Sequence, residues 1–530
     1  MKYFYTVCLV FAAYLSLWAQ PHDLHPCGTM PEKSQWLKEY QRNPALFAAD
    51  IQLRQQNTTY LPISLHLVGK SDSSALIPLT SVLTSFCQLN EDYAQTNIQF
   101  YIQYPIHYHY NDSWYVHNTV YEGGAMMLQE NIANTINVYF VSSAAGNCGY
   151  NLPYAGVAMA SGCLFGHTFA HEIGHALALP HTFLGWEGGQ THTGTVAPDY
   201  NTPAPLIVTY DYTDFKDTRW TTDTLIIDSA YVENVARTGN DKNCHFAADG
   251  FCDTPADYLA FRWACSANNA QSTQTQIDPT GISFQSDGWN IMSYAHDACQ
   301  VGFSPEQIAA MHAFIQQNRQ DYIPTQTPNY SPIIGTPNLI YPAQNDTIPA
   351  ENPVFRWNAI PNATHYILEV YREPIDARII IANTVVQDTF FEVNSVLPLA
   401  TRSFPYAWRI RPFNAMYTCG NFSDAVQFRT HTPVNINEVI TQDWQMQIHP
   451  NPISNASGFH CAIHTTYAQE GQLNIYNSLG QRILMQNMDL HIGENNQYIS
   501  SSIFNHQKGL FLVQWQGNNG QQKTMPLIVE

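Results

Sequence analysis

The sequence predicts a multidomain protein in which an α/β (α+β) domain is followed by two all-β sandwich domains. Three observations carry this expectation. The chain has 530 residues, more than one core usually holds, since domains run to roughly 100–200 residues. Strand and helix patterns alternate over the first three-fifths of the chain, the order expected of an α/β layer. Beyond a proline-rich stretch only short alternating strands separated by turn residues remain, which is the pattern of sandwiches.

Composition limits what such a chain can do. Apolar residues make up 45% and charged residues only 12%, which excludes a disordered polymer and leaves solubility to uncharged polar side chains. Lys and Arg number 22 against 42 Asp and Glu, a net charge of −20. That is the wrong sign for a phosphate backbone or an anionic membrane, so no nucleic-acid partner is expected.

The elements follow in chain order. Lys2, the apolar run Tyr3 to Trp18 and then Ala19-Gln20-Pro21 form a secretory signal pattern, so residues 1–19 read as a removable signal peptide. The run is short for a membrane span, and no later segment is apolar enough for one, so the mature chain is expected to have no transmembrane segment. Residues 20–59 are polar, with a helical look from Lys33 to Arg42, and read as an N-terminal pro-segment. A first domain is expected over 60–322. It opens with the strand Leu61 to Val68, a helix from Leu79 to Tyr93 behind Pro78, a strand Ile98 to Tyr104 and another at Ile136 to Val141. Gly156 to Met159 and a helix from Thr168 to Leu179 come next. Residues 323–343 contain Pro324, Pro328, Pro332, Pro337 and Pro342, a composition suited to an extended linker. Sandwich domains are expected over 344–431 and 436–530.

The chemistry begins on the helix. His171-Glu172-Ile173-Gly174-His175 puts two imidazoles one turn apart on one helix face, where both reach a single ion. His181 supplies a third ligand at the spacing His171-x3-His175-x5-His181. Three neutral imidazoles leave zinc one open position for water, and Glu172 stands next to the metal without binding it, where a general base is needed. His167, near the helix start, reads as structural. Met292, in Asn290-Ile291-Met292-Ser293-Tyr294, is placed to form an apolar floor beneath the metal.

Together the zinc stretch and this Met-turn resemble the metzincin metalloproteases, and Met292-Ser293-Tyr294 with Asp297 and Cys299 narrows the resemblance to the pappalysin group. Leu89-Asn90-Glu91-Asp92-Tyr93 with Thr96-Asn97, and Asp249-Gly250-Phe251-Cys252-Asp253-Thr254-Pro255 with Asp257, are similar to further stretches of that family. The likeness spans about residues 60 to 320. It implies a metzincin catalytic domain with zinc on His171, His175 and His181, catalysis by Glu172, and Tyr294 as a donor to the tetrahedral oxyanion. It also implies calcium near Asp249 and Asp253, for which a turn or helix cap is the alternative. The departure is Ala178, where the family usually has Gly; a positive φ there costs an alanine about 1 kcal/mol. Relatives that cut before a basic residue carry Asp just ahead of the cysteine after the Met-turn; here Ala298 holds that place and Asp297 precedes it, so no Arg or Lys preference follows.

Signal removal leaves ten of the eleven cysteines, an even number in an oxidising compartment. The four around the Met-turn permit three connectivities, of which Cys244 with Cys252 and Cys265 with Cys299 is the expected one, alongside Cys148 with Cys163. Cys87, on an apolar helix face, reads as a buried thiol. Cys27 is a candidate latency thiol that caps zinc in the proenzyme, as in some family members, with a structural disulfide as the alternative.

Phe355-Arg356-Trp357 and Tyr406-Ala407-Trp408 give residues 344–431 a resemblance to a fibronectin type III domain, read as a spacer. Pro450-Asn451-Pro452 and Gly509-Leu510-Phe511-Leu512-Val513 give the last hundred residues a resemblance to the C-terminal sorting domain of type IX secretion in Bacteroidetes. The combined expectation is a secreted or surface-attached zinc endopeptidase, with protein or peptide substrates and the type IX secretion machinery as partners. Its rivals are a surface adhesin on a scaffold that no longer cuts and a hydrolase of some non-peptide amide.

Overall fold

The computed structural model describes residues 27–530 except 30–31, 47–56, 154, 188–199, 212–226, 267–269, 373–379, 395–396, 398–404, 432–443, 455–456, 479 and 519–521. The expected signal peptide and much of the expected pro-segment therefore lie outside the described residues. The chain divides into two compact units, Met1–Thr432 and Pro433–Glu530.

In the first unit a short helix, α1 (Gln35–Arg42), precedes strand β1 (Thr59–Gly69), which is buried along nearly its whole length. That burial on both faces is what a central strand of a parallel sheet requires. Helix α2 (Leu79–Asp92) leads to β2 (Ile98–Ile102) and β3 (His107–Tyr110), both parallel to β1 on the same side. Helix α3 (Val120–Glu130) is opened by a capping box between Thr119 and Glu122 and leads to β4 (Ile136–Val141), the other neighbour of β1. Strands β5 (Gly149–Leu152) and β6 (Gly156–Ala160) complete the order β2-β1-β4-β6-β5, in which only β5 is antiparallel and forms the edge.

The two faces of this sheet alternate strictly. Val138, Phe140, Val157 and Met159 point into one core with Phe86, Leu89, Phe169 and Ile173. Tyr139, Val141, Ala158 and Ala160 point into another with Val120, Met126 and Met127. Helix α4 (Thr168–Ala176), which carries the candidate ligands, is thus held under the sheet, with Phe169 edge-on to Phe140 at 5.7 Å and to Phe86 at 6.4 Å. Helix α5 (Pro305–Asn318), capped by Ser304 and Gln307, closes this layer.

Residues 339–431 form a sandwich within the same unit. Its strands β7 (Leu339–Tyr341), β8 (Asp346–Pro349), β9 (Val354–Trp357), β10 (His365–Arg372), β11 (Ile380–Val386), β12 (Phe390–Glu392), β13 (Tyr406–Phe413) and β14 (Val426–His431) make two sheets, β7-β9-β12 and β8-β14-β13-β10-β11. Trp357, Trp408, Phe355 and Phe428 fill the space between them.

This sandwich is not held apart from the α/β layer as a spacer would be. Ile367, Phe413 and Ala415 join the core of the α/β layer, and the Ile102 amide donates to the Ala415 carbonyl at 2.7 Å. Arg411 donates to the Thr80 carbonyl at 3.2 Å, to Thr84 Oγ1 at 3.0 Å and to the Thr418 carbonyl at 2.6 Å. The expectation of a buried thiol at Cys87 is corrected here: Cys87 is bonded to Cys419. The pattern of α2 marks Cys87 as apolar-facing, but that flank of the helix meets the sandwich. Cys148 is bonded to Cys163, Cys244 to Cys252, and Cys265 to Cys299.

The second unit is a separate sandwich of sheets β15-β16-β19 and β18-β17-β20-β21, where β15 is Trp444–His449, β16 Phe459–Thr465, β17 Gly471–Asn477, β18 Arg482–Asn487, β19 Gly493–Ile499, β20 Gly509–Gly517 and β21 Gln522–Val529. Trp515, Phe459, Leu473 and Phe511 centre its core, and the Trp515 indole N–H is satisfied by the Met488 carbonyl at 2.8 Å.

Candidate metal centre

Helix α4 ends in a turn that decides the site. The Ala178 amide donates to the His175 carbonyl and the Leu179 amide to the Gly174 carbonyl, each at 2.9 Å, the two bonds of a Schellman cap. Ala178 stands at the position that usually needs glycine, with φ of +73°. The chain then doubles back and returns His181 toward His171 and His175.

Each ring is fixed from behind. Nδ1 of His171 donates to the Ile291 carbonyl at 2.8 Å, Nδ1 of His175 to the Leu179 carbonyl at 2.7 Å, and Nδ1 of His181 to Glu187 Oε1 at 3.2 Å. A carbonyl only accepts, so the protons of His171 and His175 sit on Nδ1 and the Nε2 lone pairs are exposed to one another. Nε2 of His175 lies 3.1 Å from Nε2 of both His171 and His181. Converging lone pairs in a buried site repel unless a cation lies among them. Three nitrogens at about 2.0–2.1 Å from a tetrahedral zinc are about 3.3 Å apart, so these residues fit that ion. Burial holds His171 down to about 4 and His175 well below its ordinary value, which keeps both rings neutral as ligands must be.

The Met-turn lies beneath. Met292 is fully buried, and a Cβ on Gly174 would stand 2.5 Å from its sulfur, so Gly174 is what lets the turn approach the helix. Asp257 ties the two segments together, accepting from Thr182 Oγ1 at 2.8 Å and from Ser293 Oγ at 3.2 Å.

Glu172 faces the cleft from α4. A Cβ on Gly149 of the edge strand would lie 2.7 Å from Glu172 Cγ, so the strand and the helix meet over this carboxylate. Burial pushes Glu172 up to about 8, against the opposing hydrogen bonds of the Cys27 thiol and the Thr29 hydroxyl. Thr29 Oγ1 donates to Glu172 Oε2 at 3.2 Å and accepts from the Asn151 amide at 2.8 Å, while the Gly28 amide donates to the Gly149 carbonyl at 2.8 Å. The segment Cys27 to Thr29 therefore runs along the edge strand through the cleft. Cys27 Sγ and one nitrogen from each of His171, His175 and His181 all lie within 4.8 Å of one another. The Tyr294 hydroxyl donates to the Cys27 carbonyl at 3.3 Å.

Other candidate residues fall elsewhere. His167 bonds Asp92 Oδ1 at 2.9 Å and is not in the ligand group. The oxygens of Asp253 accept from Ser304 Oγ at 2.6 Å and the Glu306 amide at 2.7 Å, at the start of α5. Asp249 is buried and accepts from Thr254 Oγ1 at 3.0 Å and the Phe251 amide at 3.0 Å. These bonds are those of the turn and helix cap that stand as the alternative to calcium at Asp249 and Asp253. Asp297 is paired with Arg262 at 2.6 Å. Sequence reasoning missed Glu187 and Gly149 and named Asp257 without its role; of the two missed residues only Glu187, six residues after His181, left a local trace.

Residues 447–530 match the family model described as a secretion system C-terminal sorting domain. The chain ends in a type IX sorting domain. This sorting domain directs export to the cell surface or beyond it. Upstream, the chain is 28% identical over 225 residues to an extracellular metalloprotease of Neurospora crassa, covering 36% of this chain and 75% of that protein. Among solved structures, a mutant of promirolysin from Tannerella forsythia aligns with 56% of this chain and 97% of its own, at 14% identity and a TM-score of 0.33. Fibronectin(III)-like modules of Clostridium thermocellum CbhA align with 37% of this chain and 94% of theirs, at 6% identity and a TM-score of 0.14.

Proposed function

We propose that this chain is a secreted zinc-dependent endopeptidase of the pappalysin-like metzincin kind, seen here with its N-terminal segment seated in the active-site cleft. The observation that carries this reading is the convergence of three buried Nε2 nitrogens beside a carboxylate that binds none of them. Zinc held by His171, His175 and His181 supplies Lewis acidity and lowers the pKa of water toward neutrality.

The chain's own residues do the rest. Glu172 takes a proton from the attacking water and passes it to the leaving amine, which its position over the cleft allows. Charge that develops on the peptide oxygen is met by the Tyr294 hydroxyl, which already donates to a peptide carbonyl, that of Cys27, inside the cleft. The edge of β5 aligns an extended substrate as its Gly149 carbonyl and Asn151 amide hold Gly28 and Thr29. Cys27 acts as the latency thiol: its sulfur lies in one group with the three histidine nitrogens and would hold zinc as a fourth ligand in place of water. The intact Schellman turn at Ala178 supports cutting over the rival reading of a binding protein on a degenerate scaffold.

The test is cleavage of a denatured protein by the zinc-loaded chain freed of its N-terminal segment, beside Glu172→Ala at equal measured zinc. Cutting by the wild type and a loss of about 10³-fold or more in the variant are expected. Zinc bound with no cutting by either protein rejects the reading. For latency, the Cys27→Ala precursor should cut faster than the unprocessed wild type.

A further inference from the structure

Beside His175 lies a cavity of about 210 Å3, of whose wall that ring is part. The edge strand contributes Asn151, the turn after α4 contributes Leu179, and the end of α5 contributes Arg319 and Tyr322. The rest of the wall includes Thr29 and Glu32 of the N-terminal segment. Thr29 also bonds Glu172, so the cavity begins one side chain away from the catalytic carboxylate.

Two features give this cavity a preference. Arg319 is held in place, its guanidinium 5.3 Å from the centres of both the Phe314 and Tyr322 rings and one nitrogen donating to the Asn318 carbonyl at 2.9 Å. Once the N-terminal segment leaves, Glu32 leaves with it, and among the described wall residues Arg319 is the charged one that stays besides the metal ligand His175. The segment that fills the cleft also brings an acidic residue to this wall, since Glu32 is five positions after Cys27.

We infer that Arg319 is a specificity-determining residue, and that the cavity takes an Asp or Glu side chain of a polypeptide substrate a few residues from the scissile bond. Departure of the N-terminal segment opens the cavity to the cleft, and the polypeptide that replaces the segment presents a side chain at the same place. A guanidinium fixed between two rings pairs with a carboxylate at little further cost in side-chain entropy. The inference rests on the endopeptidase reading.

The experiment is cleavage-site profiling on a mixture of denatured proteins by the exported, processed, zinc-loaded enzyme, with Arg319→Glu and Arg319→Lys beside it. Each fold is checked by its melting temperature. The wild type should cut sites with Asp or Glu at one fixed position about tenfold more often than sites with Lys there. Arg319→Lys should keep the acidic preference, and Arg319→Glu should replace it with a basic one while still cutting. Cutting without acidic enrichment at any position, or an unchanged profile in a folded Arg319→Glu enzyme, overturns the inference and leaves the endopeptidase reading intact. No cutting by the zinc-loaded wild type overturns both.

Discussion

At the scale of single residues, Ala178 carries the clearest energetic signature. Its φ of +73° is unfavourable for any residue with a Cβ, and both hydrogen bonds of the turn hold it there. Ala178→Gly should therefore raise stability by about 1 kcal/mol, the left-handed strain relieved less the entropy that glycine adds to the unfolded chain. Denaturant titration checks this, and unchanged zinc content shows that the ligands did not move. A second residue, His66, governs a response to acid. It is fully buried in β1, bonded to Asn137 Oδ1 at 2.9 Å and His109 Nε2 at 3.0 Å, and stacked on Tyr139 and His107, with Glu130 beside His109 at 3.7 Å. Burial lowers His66 to about 3, and His107 and His109 move in the same direction. The unfolded chain takes up these protons near pH 6.5 and the folded one at lower pH, near 3 for His66, so stability is lost as pH falls below about 6.5. His66→Gln should flatten the fall in melting temperature between pH 7 and 5. The ligand spacing of His171, His175 and His181 was readable because a helix and one turn fix it locally. Glu187 was only faintly so, and the bridging role of Asp257 not at all, because its partners Thr182 and Ser293 come from two remote segments.

At the scale of elements, the site is made by two close approaches that glycine permits. Gly149 lets the edge strand lie on Glu172, and Gly174 lets the Met-turn lie against α4. Gly149→Ala should cut kcat/KM by displacing Glu172 while leaving bound zinc at one equivalent; loss of zinc in parallel with activity would show a general collapse instead. The helices and the first strands were legible because their apolar periods and caps are local. The sandwich's attachment was not: Arg411 and Cys419 lie more than 300 residues from Thr80 and Cys87, and no sequence period links them. Replacing Cys87 and Cys419 by Ser should cost about 2–4 kcal/mol, measured by chemical denaturation, because the bond closes a very long loop. The Asp253 cap on α5 makes a smaller contribution, and Asp253→Ala should cost about 1 kcal/mol.

At the scale of the whole molecule, three parts of the sequence address three different needs. The α/β layer presents the candidate metal centre, the first sandwich shares its core, and the second unit is the sorting domain. Removing residues 433–530 should abolish appearance outside the cell in a host with type IX secretion, with the chain retained inside the envelope; undiminished export would refute the assignment. Removing the first sandwich should behave differently, since it strips Phe413, Ala415 and Arg411 from α2 and β2. That deletion should lower the melting temperature of the α/β layer, which removal of a tethered spacer would not do.

The bond between Cys87 and Cys419 also sets a timetable for making the protein. Its partners are 332 residues apart, and a ribosome adds about 5–20 residues per second. Cys87 therefore waits as a thiol for on the order of tens of seconds before its partner exists, while Cys148 and Cys163 emerge well ahead of Cys419. An oxidant that joins cysteines strictly in order of appearance would pair Cys87 wrongly, so a host envelope that reshuffles disulfides should give a higher yield of the Cys87–Cys419 bond than one that only forms them.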